Sequence, residues 1–348
     1  MPETLINILL FNTKFLIIFI IINISLFYIY RFLAFQFNLL DTPNYRKLHH
    51  GSVPLIGGLI IYSSMLFFYF SFDLTGWLKI IFLSSFIIVF FGFLDDKFQI
   101  SVTIRILGQF IASFFVIFSG LYIVDIGNYI NSNNIELGYF GFIFTLLTII
   151  GLTNAINFID GIDGLCSSIS LVSLISILLY SNLNGNPLIY QFILLLIICL
   201  IIFLLSNLRV FLPQIFLGDS GSMLLGFTIG WLLIYCTHPD VNLFHPVLTL
   251  WCVSLPTLDL LSVFTRRVLK KINPFQPDRR HIHHILISKG CSNNKTLLIL
   301  VLISILNSLI GYYSYYLFGP LVSLILFIIL FITYLGSTIY IGRINHDL

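Results

Sequence analysis

The feature that most constrains this chain is its series of unbroken apolar runs. A bilayer core about 30 Å thick is crossed by roughly 20 residues of helix. Eleven runs approach or exceed that length. They lie near Leu5–Tyr30, Leu55–Phe72, Trp77–Leu94, Ile104–Val124, Phe140–Asn157, Leu165–Tyr180, Leu188–Ser206, Gly221–Tyr235, Phe244–Phe264, Thr296–Phe318 and Leu321–Ile341. Charged residues make up only 9% of the 348, against roughly 25% in soluble domains, which excludes a soluble globule. The 36 Phe and 17 Tyr exclude a hydrated, disordered chain. A net charge of +3 on so apolar a chain excludes a nucleic-acid binder. The expectation is an all-α fold, a polytopic membrane bundle of about eleven transmembrane helices. Consecutive spans share one bundle, so residues 1–348 read as a single integral-membrane domain. The first run is too long for a signal-peptide core, contains Lys14 and lacks a small-residue cleavage site. It reads as an uncleaved helix.

Basic residues orient the bundle. With loops assigned alternately to two faces, all seventeen Lys and Arg fall on one face except Lys14 and Lys79. That face is cytoplasmic by the positive-inside rule, which puts the N-terminus outside and the C-terminus in the cytoplasm. The longest external loop, near Asp125–Tyr139, carries four Asn and no basic residue; it reads as a solvated connector. Cys166, Cys199, Cys236, Cys252 and Cys291 are odd in number and form no CxxC pair, so they suggest packing rather than a disulfide framework or zinc knuckle.

Five polar segments share the basic face. Carboxylates at a membrane edge are costly and tend to be functional. Asp95-Asp96 close the third span, where a solvated helix end partnered by Lys97 is the plain alternative. In Asn154-x-x-Asn157-x-x-Asp160-Gly-x-Asp163-Gly, a continuous helix would smear the polar groups around its circumference. Gly161 and Gly164 suggest instead a helix end followed by a turn, with Asp163 able to cap the next helix. Phe216-Leu-Gly-Asp219-Ser-Gly-Ser222 precedes the eighth span, where backbone N–H groups favour phosphate; a simple N-cap by Asp219 or Ser220 competes. The basic loop at 265–295 carries Arg279-Arg280-His281-Ile282-His283-His284. On a helix, His281 and His284 would share a face and His283 would point elsewhere. Zinc needs three or four convergent ligands, and no usual spacing supplies them. Arginine with histidine reads better as an anion clamp, or as no more than a positive-inside loop. The fifth segment runs from Asp41 through Arg46, Lys47, His49 and His50 to Gly57-Gly58, a glycine pair that lets helices approach closely.

Several carboxylates beside a cationic cluster imply a divalent metal and phosphate oxygens. No GxxxxGK[ST] loop is present, which argues against ATP held in a P-loop. A cytosolic face opening into a bilayer suggests one water-soluble phosphate substrate and one lipid substrate. These motifs, in this order and across nearly the whole chain, resemble the polyprenyl-phosphate N-acetylhexosamine-1-phosphate transferases. Within that family the chain is similar to the branch that moves GlcNAc-1-phosphate from UDP-GlcNAc to undecaprenyl phosphate. The branch that accepts UDP-MurNAc-pentapeptide carries consecutive histidines followed by an acidic residue; here Ile282 interrupts the histidines and Ile285-Leu286 follow.

The resemblance implies Asp219 as ligand of Mg2+, with Mn2+ as a substitute, and Asp95 and Asp96 as the pair that contacts or deprotonates the lipid phosphate. Lys47 becomes a phosphate partner. Asn157, Asp160 and Asp163 line the nucleotide-sugar site, Phe216 stacks on uracil, and Arg280, His281, His283 and His284 grip the pyrophosphate or sugar. Gln99 stands where relatives often have Asp or Asn. The implied reaction releases UMP at the cytoplasmic face of the bacterial inner membrane, as the first membrane step of O-antigen, enterobacterial common antigen or teichoic-acid-like polymer synthesis. Another UDP-HexNAc donor, a one-step or aspartyl-intermediate route, and a homodimer all stay open. A proton-coupled transporter is the rival from another class, and it would place its carboxylates near the bilayer midplane.

Overall fold

The computed structural model describes residues 13–41, 51–130, 133–183, 185–271 and 281–344, with side chains through residue 340. It is a helical membrane protein. In chain order the helices are α1 (Thr13–Gln36), α2 (Gly57–Ser71), α3 (Gly76–Phe98), α4 (Val102–Phe118), α5 (Phe140–Ile159) and α6 (Leu165–Tyr180). They continue as α7 (Pro187–Asn207), α8 (Gly218–Thr237), α9 (Val247–Cys252), α10 (Ser254–Leu269), α11 (Ile282–Ser288) and α12 (Asn293–Ile344). Among the described residues, α1, α3, α5, α7, α8 and α12 are each long and apolar enough to cross a membrane. Helices α2, α4 and α6 are shorter but apolar. Side chains such as Phe110, Phe114 and Phe118 stack outward along α4 at centroid spacings of 6.3 and 6.1 Å. A lipid-facing surface tolerates what water would not.

Two departures from the sequence reading, and one junction that follows it, have local causes. The run near Phe244–Phe264 is split at Val253 into α9 and α10. Pro256 lacks an N–H and its ring would clash with the carbonyl of Cys252, so the helix cannot run through. The last two runs are two helical arms, as the sequence reading has them, meeting within α12 at Gly319 (φ 82°) and Pro320. Nine residues of straight helix would span about 13.5 Å, yet Ser314 Oγ donates to Ser323 Oγ at 3.1 Å. The chain therefore folds back at Gly319, and α12 is a helical hairpin. Lastly, the segment after Asp125 is an ordered turn rather than a bare solvated connector. Gly127 N donates to the Asp125 carboxylate at 2.8 Å, and Asp125 bridges to Glu136.

Helix α8 is the axis of the bundle; nearly all of its side chains are buried. Small residues let its neighbours close on its backbone. A Cβ on Gly58 of α2 would overlap Gly221 and Ser220, and one on Gly92 of α3 would overlap Ser220. A Cβ on Gly226 would stand 2.7 Å from Thr153 Cα of α5. The Gly57-Gly58 pair thus serves the close approach its sequence suggests.

A small extended patch joins the loops at the α8 start. Strand β1 (Leu40–Asp41) pairs antiparallel with β2 (Val53–Pro54), and Leu55 bridges Phe216 in parallel. These short strands are an addition to the all-helical expectation. They arise because the extended linkers must pair their peptide groups once water is excluded.

Candidate active site

Helix ends build the site. The C-termini of α3, α5 and α7 meet the N-termini of α4, α6 and α8, together with the extended patch at 39–41, 53–55 and 215–217. Helix α5 ends at Ile159, Gly164 adopts φ 79°, and α6 begins at Leu165. The turn between them carries Asp160 and Asp163, as the glycine spacing predicts. Asp163 does not cap α6, since Gly164 occupies that position without a side chain. Asp163 instead accepts from Gln214 Nε2 at 2.9 Å, and Asn207 Oδ1 accepts the Gly164 N–H at 2.5 Å.

Helix α8 begins without a local side-chain cap. Its first amide groups are satisfied by another helix. Asp219 N donates to Asp96 Oδ1 at 2.7 Å, while Ser220 N and Oγ donate to Asp96 Oδ2 at 3.1 and 2.7 Å. Asp96 therefore acts as an N-cap delivered in trans from the end of α3. Caps of this chemistry contribute about 0.5–2 kcal/mol, and the helix dipole favours the negative charge. Neither Asp219 nor Ser220 caps the helix; both lie inside its first turn.

Asp219 then projects from that turn. Its Oδ1 accepts from Asn157 Nδ2 at 2.5 Å, and the same amide donates to Ser222 Oγ at 2.9 Å. Arg105, at the start of α4, pairs with Asp95 at 2.8 Å and lies 3.7 Å from Asp219. Ser101 caps that helix start, its side chain accepting from Ile104 N. Asp95 is buried, whereas 35% of the Asp219 side chain stays open.

Asp160 faces the same space. The residue is exposed at the turn, although protein crowds the volume around it. Burial, then the charges of Asp219 and Asp163, push its pKa up to about 7. Asp95 and Asp219 likewise crowd each other. Among the described residues Arg105 is the cation that pairs with these carboxylates, and a bound cation would offset their remaining negative charge. Among the described residues no three His, Cys, Asp or Glu side chains converge as a complete metal cage. The donor set fits magnesium better than zinc: one or two carboxylates, with the remaining positions left to water and phosphate oxygens.

The histidines close one side. Helix α11 starts only at Ile282, with His281 extended at φ −70°, ψ 154°. His281 and His284 therefore do not share a helical face. The nearly parallel pair is His281 and His283, with centroids 6.1 Å apart and planes at 8°. His281 lies 5.2 Å from the Phe158 ring, and His283 presses on Gly161, where a Cβ would collide with it. Both ring nitrogens of His283 are buried without a hydrogen-bond partner among the described residues. Burial first, then His284, lowers its pKa to about 3. A histidine shifted this way is neutral at physiological pH, so a role for His283 toward a ligand rests on hydrogen bonding rather than on charge. Phe216 lies in the extended patch, its carbonyl accepting from Gly57 N at 3.0 Å. His284 follows in the first turn of α11. Lys47 and Arg280 lie outside the described residues.

With this geometry in view, the comparisons with known proteins become specific. The family model described as glycosyl transferase family 4 matches residues 78–237. The chain is 33% identical over 334 residues to the undecaprenyl-phosphate alpha-N-acetylglucosaminyl 1-phosphate transferase of Escherichia coli K12, covering 94% of this chain and 91% of that one. The chain belongs to glycosyl transferase family 4. A relative of the same name from Haemophilus influenzae is 35% identical over 323 residues, or 90% of each chain. The one from Yersinia pestis is 33% identical over 311 residues, or 88% of this chain and 84% of its own.

The matched segment of this family 4 member runs from α3 to α8. It contains the Asp95, Asp96, Arg105, Asn157, Asp160, Asp163, Phe216 and Asp219 positions; the histidine loop lies beyond it. Sequence reasoning missed three contributors. Arg105 was counted only as a loop cation, Ser220 only as a competing cap, and Asp259 not at all. A lone arginine eight residues beyond Asp-Asp-Lys97 was a weak signal, and an aspartate inside the apolar run near Phe244–Phe264 was a stronger one.

Proposed function

We propose that this chain transfers GlcNAc-1-phosphate from UDP-GlcNAc to undecaprenyl phosphate and releases UMP. The observation that carries the reading is the convergence of Asp95, Asp96, Asp219, Asn157 and Arg105 at one end of the bundle. Three relatives covering most of the chain bear the name of that activity. The same end holds Arg31, Lys97, Arg209, Arg266, Arg267 and Lys289, among others, and Lys79 lies at the other. By the positive-inside rule the site faces the cytoplasm, where a UDP-sugar is available, and the protein resides in the inner membrane with its N-terminus outside. A bundle of eleven spans is the matching topology.

Asp219 and its crowded neighbours would hold Mg2+. When bound, the ion neutralises diphosphate charge and makes UMP a better leaving group. The residues of the chain supply position. Asn157 fixes the Asp219 carboxylate, Asp96 fixes the helix start that carries it, and Arg105 adds a cation between Asp95 and Asp219. Asp160 and Asp163, with Phe216, border the nucleotide-sugar side; Lys47, Arg280, His281, His283 and His284 complete the grip on phosphate or sugar. A phosphate oxygen of the lipid attacks the β-phosphorus in line. The new P–O bond forms as the bond from that phosphorus to the bridging oxygen breaks, and the electron pair leaves with UMP. We assign Asp95, which pairs with Arg105, to keeping the attacking oxygen deprotonated, since Asp96 accepts three donors from α8.

The test is UMP release from UDP-GlcNAc by the purified protein with a short polyprenyl phosphate. Release is expected to require both the lipid phosphate and Mg2+, and to exceed that from UDP-GalNAc in a parallel assay. No release from any UDP-HexNAc would overturn the reading and return the chain to the transporter class.

A further inference from the structure

The histidine loop is held by a buried carboxylate that the site described so far does not use. Asp259, on α10, is 2% exposed. Its Oδ2 accepts from His281 Nδ1 at 2.7 Å, and its Oδ1 accepts from Ile282 N at 3.0 Å and from Tyr334 Oη at 3.0 Å. Tyr334 comes from the returning arm of the α12 hairpin. One helical turn along, Ser262 Oγ of α10 meets Thr338 Oγ1 of the same arm at 2.9 Å. This polar ladder ties α10 to α12.

A buried carboxylate is costly unless it is fully hydrogen-bonded. Here all three donors are supplied, and two of them belong to the loop. The third comes from the far end of the chain. The bond at Nδ1 sets the ring's tautomer and orientation and leaves Nε2 as its remaining polar atom. The ring plane is held further between Phe158 and His283. Phe158 follows Asn157, the residue that fixes Asp219.

We propose that Asp259 is a positioning residue that aims His281 at the diphosphate and pins the first turn of α11 beside the site. The inference rests on the transferase reading above. Asp259 touches no substrate in this account; it acts through His281.

The experiment is a double-mutant cycle on the full-length protein. Asp259→Asn is expected to lower kcat by about 10- to 100-fold, the loss typical when a carboxylate orienting a histidine is removed, with KM for the lipid phosphate unchanged. In a His281→Ala background the same change should cost less than about twofold, because coupled residues are not additive. Full additivity of the two losses would overturn the proposal. If Asp259→Asn does not accumulate, Tyr334→Phe removes one donor to Asp259 and is run through the same cycle with the same criterion. A second readout does not depend on activity. Hydrogen exchange over 282–288 should accelerate in Asp259→Ala, and unchanged exchange would equally overturn the proposal. A wild type that releases no UMP would defeat the transferase reading, and the exchange measurement would still decide the positioning role.

Discussion

Asp95 and Asp96 are neighbours in the chain with unlike surroundings: one pairs with Arg105, the other accepts three donors from α8. Which of two adjacent carboxylates meets a cation and which meets a helix start depends on partners far away in sequence. The aspartate pair was legible; its division of tasks was not. Asp219 permits a clean test. Asn at that position keeps an oxygen to accept from Asn157 and removes only the charge. Asp219→Asn is expected to retain its detergent-solubilised elution profile while losing at least about 100-fold in kcat, the scale seen when one preorganised electrostatic group is removed. Asp160 gives a pH signature. Its folded pKa is about 7 against an ordinary 3.8, so between those values the folded state binds more protons than the unfolded one. Stability from this group therefore falls as pH rises through that window. Asp160→Asn should raise Tm over wild type at pH 8 in chelator, with the gap closing toward pH 4. His283 acts in the opposite sense in both proteins: with a folded pKa of about 3 against 6.5, its contribution is lost as pH falls through that range. Comparing variant with wild type cancels it.

At the scale of elements, the apolar runs located the helices, and glycines and prolines located their ends. Gly161 and Gly164 mark the turn between α5 and α6, and Pro256 marks the break before α10. The run near Phe244–Phe264 read as one span because hydropathy is insensitive to a single missing N–H. On a continuous helix His281 and His284 would share a face and His283 would point elsewhere. The helix in fact begins one residue later, where Asp259 receives the Ile282 amide. Close packing is the element-scale property most open to test. Gly92 faces the Ser220 backbone, which cannot rotate away as a side chain would. Gly92→Ala should cost about 1–3 kcal/mol, as overpacking does, and should lower activity by shifting the helix start that carries Asp219. Thermal unfolding in detergent alongside UMP release checks both. An unchanged Tm would show that α3 and α8 can separate freely.

For the whole molecule, the alternating assignment of loops agrees with the way helix ends gather. The α3–α4, α5–α6 and α7–α8 connections meet at the basic end. Trp77 Nε1 donates to Ser119 O at 3.1 Å at the other, where Tyr316 also meets Tyr180 O at 3.3 Å. Orientation follows as a prediction. A cysteine at Tyr139, an exposed residue just before α5, should react with a membrane-impermeant thiol reagent in intact cells. A cysteine at Phe211, in the exposed α7–α8 connection, should react only after permeabilisation. The reverse pattern would put the site outside. Sequence alone determined that the chain is a helical membrane protein, and it singled out a basic face and five polar segments expected there. Those are properties of the chain read locally: bilayer thickness sets run length, and charge near a span sets its side. Only the tertiary structure decided that Asp96 caps α8, that His283 is buried and neutral, and that Asp259 reaches His281. Each depends on which groups meet after packing removes water, and spacing along a chain carries no record of a partner a hundred residues away.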